Sequence, residues 1–182
     1  MQQIGIDEIR SLTFEEGRKL LFGPGVNSTN RIEILSVILA IAPLEVAREV
    51  FAMAYAGCDD TWSYRGDLLA DLRRRVPPGM TLGRGAEEFL QDLPDPITVY
   101  RGCHRSRVRG LSWTTDHRVA EGFAIGHRGI RVPDAVIASA QIPKEAVFLI
   151  CLGRQESEVV LDPRRLRRLV VEPFEFRELE SQ

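Results

Sequence analysis

Three segments in the second half of this chain carry side chains suited to chemistry. In Val99-Tyr100-Arg101-Gly102 an arginine stands at an expected strand end beside a glycine. A planar guanidinium fork matches phosphate or carboxylate oxygens, and glycine permits close backbone approach, so a pyrophosphate ligand such as a dinucleotide is a natural guest. The second segment, Gly110-Leu111-Ser112-Trp113-Thr114-Thr115-Asp116, offers a Ser-x-Thr strand. It leads through Thr115 or Asp116 as helix cap into His117 to Ala124, whose apolar face is Val119, Ala120 and Phe123. Ser112 has no G-x-S-x-G setting and is not read as a nucleophile. The third segment is Arg154-Gln155-Glu156-Ser157-Glu158-Val159-Val160-Leu161-Asp162-Pro163. Two acids two positions apart on an extended chain point to one side, roughly 6.5 to 7 Å apart, so Glu156 and Glu158 can face one ligand.

Each segment has a plainer reading. An arginine at a strand end is most often solvated or salt-bridged, a Ser-x-Thr strand with a capped helix is ordinary architecture, and an E-x-E on an edge strand is commonly two solvated acids. The third segment stands apart because an apolar, β-branched run follows it directly and should bury the strand that carries the acids.

In content and order these segments resemble the three signatures of the R-S-E class of mono-ADP-ribosyltransferases, over about residues 97 to 176. The resemblance implies NAD as co-substrate and no metal. Arg101 would contact NAD on its phosphate or ribose side, with Tyr100 and Gly102 beside it. Ser112, with Thr114 from the same motif, would support the nicotinamide ribose and orient the catalytic glutamate. Glu158 would be that glutamate, Glu156 would receive the acceptor nucleophile, and Phe123 would pack near the nicotinamide. The chemistry agrees with these roles: cleaving nicotinamide from its ribose develops an oxocarbenium-like centre that an ionised carboxylate stabilises. Two departures from the family pattern stand out. Ser112 follows Arg101 by only eleven positions, and Trp113 occupies the usual place of a small residue.

These residues need a scaffold. Leu93-Pro94-Asp95-Pro96 breaks a helical pattern and Ile97-Thr98-Val99-Tyr100 starts a β-rich one, which sets a module boundary. The expected fold class is α+β, a helical module over residues 1–93 and a mixed β-sandwich, ADP-ribosyltransferase-like catalytic core over residues 94–182. In the first half Ser28-Thr29-Asn30 caps a helix through Ile32, Leu35, Ile38 and Leu39. Pro43 opens a second, Asp59-Asp60 caps a third reaching Arg75, Val76 to Gly79 is loop, and a short helix covers Ala86 to Gln91. Downstream, strands are expected at Ile97 to Arg101, Ala135 to Ile142, Val147 to Leu152, Glu158 to Leu161 and Leu169 to Phe176, with one helix from about Asp116 to Ile125. Pro143 and Pro173 restrict strands to edges or bends.

Composition bounds the rest. The chain has 182 residues, and 24 basic against 26 acidic side chains give a formal net charge of −2, so no global positive field advertises nucleic acid or anionic membrane. Local basic runs, Arg73-Arg74-Arg75 and Arg164-Arg165 with Arg167-Arg168, remain as phosphate contacts or solvated faces. Cys58, Cys103 and Cys151 form no C-x-x-C pair, and His104, His117 and His127 have no zinc-like spacing. With no secretory signal and no run near 20 apolar residues, the expected location is cytoplasmic, without membrane insertion. The expected acceptor is a macromolecule, protein arginine first and RNA or DNA second, for a toxin, phage-encoded host modifier or defence effector. An antitoxin or immunity protein is a candidate partner. NAD hydrolysis, or a non-catalytic binding module on the same fold, is the alternative.

Overall fold

The computed structural model describes residues 5–127, 130–153 and 157–175. Its first half is built of helices that bury one apolar stripe each. Helix α1 (Ile6–Arg10) leads to α2 (Phe14–Phe22), which opens on a capping box: the Thr13 hydroxyl accepts the Glu16 N–H while the Glu16 carboxylate accepts the Thr13 N–H. In α3 (Arg31–Ile41), Ile32, Leu35, Ile38 and Leu39 recur at helical spacing and all are buried. Helix α4 (Leu44–Ala54) follows Pro43 and buries Val50 and Phe51. Helix α5 (Arg65–Arg75) begins later than Asp59-Asp60 led one to expect. The Asp60 carboxylate accepts hydrogen bonds from the backbone and hydroxyl of Ser63, and this local turn competes with helix initiation, while Asp59 accepts from the Ser28 hydroxyl.

The loop at 76–79 then leads into a short strand that the sequence reading missed, β1 (Met80–Leu82). Its three residues carry no alternation long enough to register as a strand; pairing with a neighbour makes it one. Helix α6 (Ala86–Asp92) precedes β2 (Ile97–His104), β3 (Ser112–Thr114), α7 (His117–Ile125) and a ribbon of β4 (Gly126–His127) with β5 (Ile130–Arg131). Then come β6 (Ala135–Ile142), β7 (Val147–Cys151), β8 (Glu158–Leu161) and β9 (Arg167–Pro173). The last strand starts at Arg167 and runs to Pro173, whose ring withdraws one ladder donor; the expected end at Phe176 lies outside the described residues.

The fold is α+β. Seven strands form one mixed sheet in the order β1-β7-β8-β3-β2-β6-β9, and β4-β5 stand apart as a two-stranded ribbon. The ladder is continuous, so in bonding terms the expected sandwich is a single sheet, with β1 parallel to β7 and the other pairings antiparallel. Side-chain alternation divides its residues between two faces. On one face Leu111, Leu149 and Val160 share a core with the buried residues of α1 to α5, joined by Phe148 where the β7–β8 register shifts. On the other, Val99, Trp113, Ala138, Ile150, Val159 and Leu161 join a second core that includes Ala86 of α6. The apolar helices and the sheet therefore bury each other across the 93–97 boundary.

Helix α7 lies close on β2, a strand in the interior of the sheet. A side chain at Gly102 would put its Cβ 1.8 Å from the Ala120 carbonyl oxygen and 2.6 Å from the Ala124 nitrogen, so glycine is what allows the helix to seat. Ala120 and Ala124 are fully buried against that strand.

Candidate active site

The sheet order brings the three chemical segments together, since β8, β3 and β2 are neighbours. Thr114 pairs with Glu158 on one side and with Tyr100 on the other, and Ser112 pairs with Val160. Cross-strand partners share a face, so Tyr100, Ser112, Thr114 and Glu158 lie on the face that meets helices α1 to α5 and α7. Glu158 is half-buried, followed by the buried Val159, Val160 and Leu161 as the sequence led one to expect. Ser157, just before it, has φ +43°, a left-handed conformation uncommon outside glycine, and its carbonyl accepts the Thr115 N–H. That bond ties the approach to β8 to the end of β3. Glu156 lies outside the described residues.

Arg101 is engaged within the chain. By alternation it belongs to the opposite face of β2 from Tyr100, and its guanidinium donates to the Ser112 carbonyl and, at 3.2 Å, to the Arg107 carbonyl. It also hydrogen-bonds Cys103, whose thiol is pushed up by burial and partly pulled back by this charge. Gly110 makes room for the fork, because a Cβ there would stand 2.5 Å from its Nη2. In this structure Arg101 fixes the loop from 105 to 111 onto the start of β3, and through it the position of Ser112.

The remaining expected residues sort by local geometry. Thr114 is buried, and its hydroxyl accepts the Asp116 N–H; Asp116, rather than Thr115, caps α7 by accepting the Arg118 N–H. Tyr100 meets the His117 ring edge-on at 5.1 Å. Gly102, expected beside a ligand, receives helix α7. Phe123 is 44% exposed on α7, and Trp113 points into the second core, where its Nε1 donates to the Gly110 carbonyl at 3.0 Å. The large ring in the serine motif therefore fills the interior on the far side of the strand from Ser112 and Glu158.

One residue that sequence reasoning missed completes the arrangement. Tyr55, in the short helical turn Tyr55–Gly57 after α4, is fully buried against Phe51 at a ring separation of 5.0 Å, and its hydroxyl lies 3.0 Å from Ser112 Oγ. Burial first, then the negative charge of Glu158, push its phenol well above the ordinary tyrosine value; hydrogen bonds to Ser112 and Thr61 and the charge of Arg101 oppose this. The phenol is therefore protonated at neutral pH. Cys58, three positions on, is pushed up to about 12, chiefly by burial and partly by Asp59 and Glu158, against the pull of Arg31. No spacing in the sequence links Tyr55 to Ser112. Its only early sign was a tyrosine continuing the buried stripe of α4.

The arrangement holds one carboxylate, one serine hydroxyl and one neutral phenol on a common face, backed by an arginine that orders the loop behind them. It can orient a hydroxyl-bearing ligand and stabilise positive charge developing on it. Among the described residues no group of three or more His, Cys, Asp or Glu side chains could hold a metal ion, and no helix is long and apolar enough to cross a membrane. Comparison with protein-family models, with curated proteins and with solved structures gives no match.

Proposed function

We propose that this chain is a mono-ADP-ribosyltransferase that transfers ADP-ribose from NAD to a macromolecular acceptor, on an ADP-ribosyltransferase-like core. The observation that carries the reading is the adjacency of β2, β3 and β8. Motifs spread over residues 99–161 converge on three neighbouring strands, with Glu158 paired to Thr114 and Ser112 on the same face. Bound NAD would supply an electrophilic ribose carbon from which nicotinamide departs. Glu158 faces that charge as a carboxylate and accepts a ribose hydroxyl. The Tyr55–Ser112 pair, neutral and hydrogen-bonded, orients the serine without competing for the positive charge. Arg101, bonded to the Ser112 carbonyl, holds the strand in register.

The test is incubation of the folded chain with NAD labelled on its adenylate half, offered separate pools of total protein and total RNA. Label is expected on one pool, and Glu158→Gln, which keeps the shape and removes the charge, should lower its transfer rate by at least about 100-fold. Protein arginine and nucleic acid are the two acceptor classes that the pools separate. Free ADP-ribose alone would make the enzyme a hydrolase; intact NAD in every pool would overturn the reading.

A further inference from the structure

We infer that an arginine-lined groove between α5 and the loop from 105 to 111 binds single-stranded nucleic acid, with Trp62 as stacking platform and Arg65, Arg105, Arg109 and Arg164 facing the phosphates. As the acceptor surface of a transfer reaction this rests on the function proposed above, but the binding itself involves no NAD.

Two hollows of about 640 and 220 Å³ adjoin, sharing Arg65 and Arg109 in their walls. Trp62 and Arg105 line the larger, Leu111 and Arg164 the smaller, and no carboxylate is among the described residues lining either. In a chain of net charge −2, four guanidiniums around one groove are a local concentration rather than a reflection of composition. Two of the groove's residues adjoin residues of the candidate site in sequence. Leu111 immediately precedes Ser112, and Trp62 immediately follows Thr61, the hydrogen-bond partner of Tyr55.

The groove's geometry suits unstacked bases. The Arg65 guanidinium lies 3.9 Å from the Trp62 ring centroid while its Nη1 donates to the Trp62 carbonyl at 3.0 Å, so a flat cation and a flat ring are held together as one stacking element. Arg109 is anchored to the Pro163 carbonyl at 3.2 Å. Arg105 is held by Asp134 at 3.2 Å in an exposed pair, a contact weak enough to be exchanged for a phosphate. Arginine forks meet phosphates two oxygens at a time, and an aromatic platform binds bases that a duplex would keep stacked away, which favours a single strand. Several arginines of the other basic runs are engaged within the chain: Arg73 with Asp162, Arg74 with Asp71, Arg75 with the Leu39 and Ala42 carbonyls, and Arg165 with Glu145.

The experiment titrates the full chain, without NAD, with fluorescein-labelled oligouridylate and oligothymidylate. Saturable binding is expected, with quenching of Trp62 emission, since the other tryptophan, Trp113, is buried. The logarithm of affinity should fall with the logarithm of salt at roughly −0.7 per phosphate contacted, or roughly −3 for four contacts. Arg65→Glu and Arg164→Glu, with circular dichroism unchanged, should each weaken binding about tenfold and flatten that slope. The inference is overturned if the folded chain leaves the oligonucleotides unbound at low salt, or if both charge reversals bind like the parent. Displacement by polyglutamate as effective as by oligonucleotide would assign the groove to acidic polypeptide, and one-to-one displacement by NAD would make it part of the dinucleotide site; either also overturns it. Because binding is read without turnover, its loss and the loss of transfer are separate results.

Discussion

Tyr55 and Ser112 meet through one hydrogen bond that joins the helical half to the chemical strand, and its removal has distinguishable consequences. Tyr55→Phe keeps the ring against Phe51 and deletes only the hydroxyl. The expected loss of stability is about 1 to 2 kcal/mol by urea denaturation, the usual net worth of the two bonds, to Ser112 and Thr61, that the hydroxyl makes. Ser112 then loses the partner that sets its rotamer, so on the proposed function the turnover number for transfer should fall about tenfold, or about 1.4 kcal/mol, with the KM for NAD moved less. A variant that loses stability but keeps its turnover number would give Tyr55 a structural role alone. At this scale the chemical candidates were legible because arginine, serine and glutamate announce themselves by type and short spacing. Tyr55 was not, because its partnership spans 57 positions. The structure also gives Gly102 a packing role as the seat of α7 and engages the Arg101 guanidinium with backbone carbonyls.

At the scale of elements, helix α7 and strand β2 offer a paired test. In Gly102→Ala the new methyl would meet backbone atoms of the helix, which cannot rotate aside, so α7 must shift. A loss of about 3 kcal/mol is expected, at the upper end of ordinary overpacking. Gly122→Ala, on the exposed side of the same helix with nothing within 4 Å of its Cβ, should instead add about 0.5 to 1 kcal/mol through helix propensity. Urea midpoints of both variants check this, and equal shifts would mean that α7 does not seat on Gly102. Much of the element layout was legible. Strands Ala135–Ile142 and Glu158–Leu161 and helix Arg31–Ile41 answer to their period and composition. The start of α5 was misread because Asp60 serves a turn instead of a cap, and β1 because three residues show no period until β7 pairs with them.

The molecule as a whole links its stability to pH through groups on the seam between helices and sheet. Burial raises both Tyr55, from an ordinary value of 10.0, and Cys58, from 9.0 to about 12. Above about pH 9 the unfolded chain releases the Cys58 proton while the folded chain retains it, so the unfolded state binds fewer protons and stability falls as pH rises. Tyr55 adds to the fall above about pH 10. The slope approaches about 1.4 kcal/mol per pH unit for each group in that window. Urea midpoints should decline steadily from about pH 8 to about pH 11. Cys58→Ser should flatten the first part of the decline, and stability level across the whole range would contradict it. The sequence by itself determined most of the helical and extended segments and which side chains are candidates for chemistry, because both follow from residue type and from periods of a few positions. Only the tertiary structure decided that β8, β3 and β2 stand side by side, that a helical tyrosine closes on Ser112 and that four scattered arginines share one groove, because these depend on which apolar faces bury one another across the whole chain.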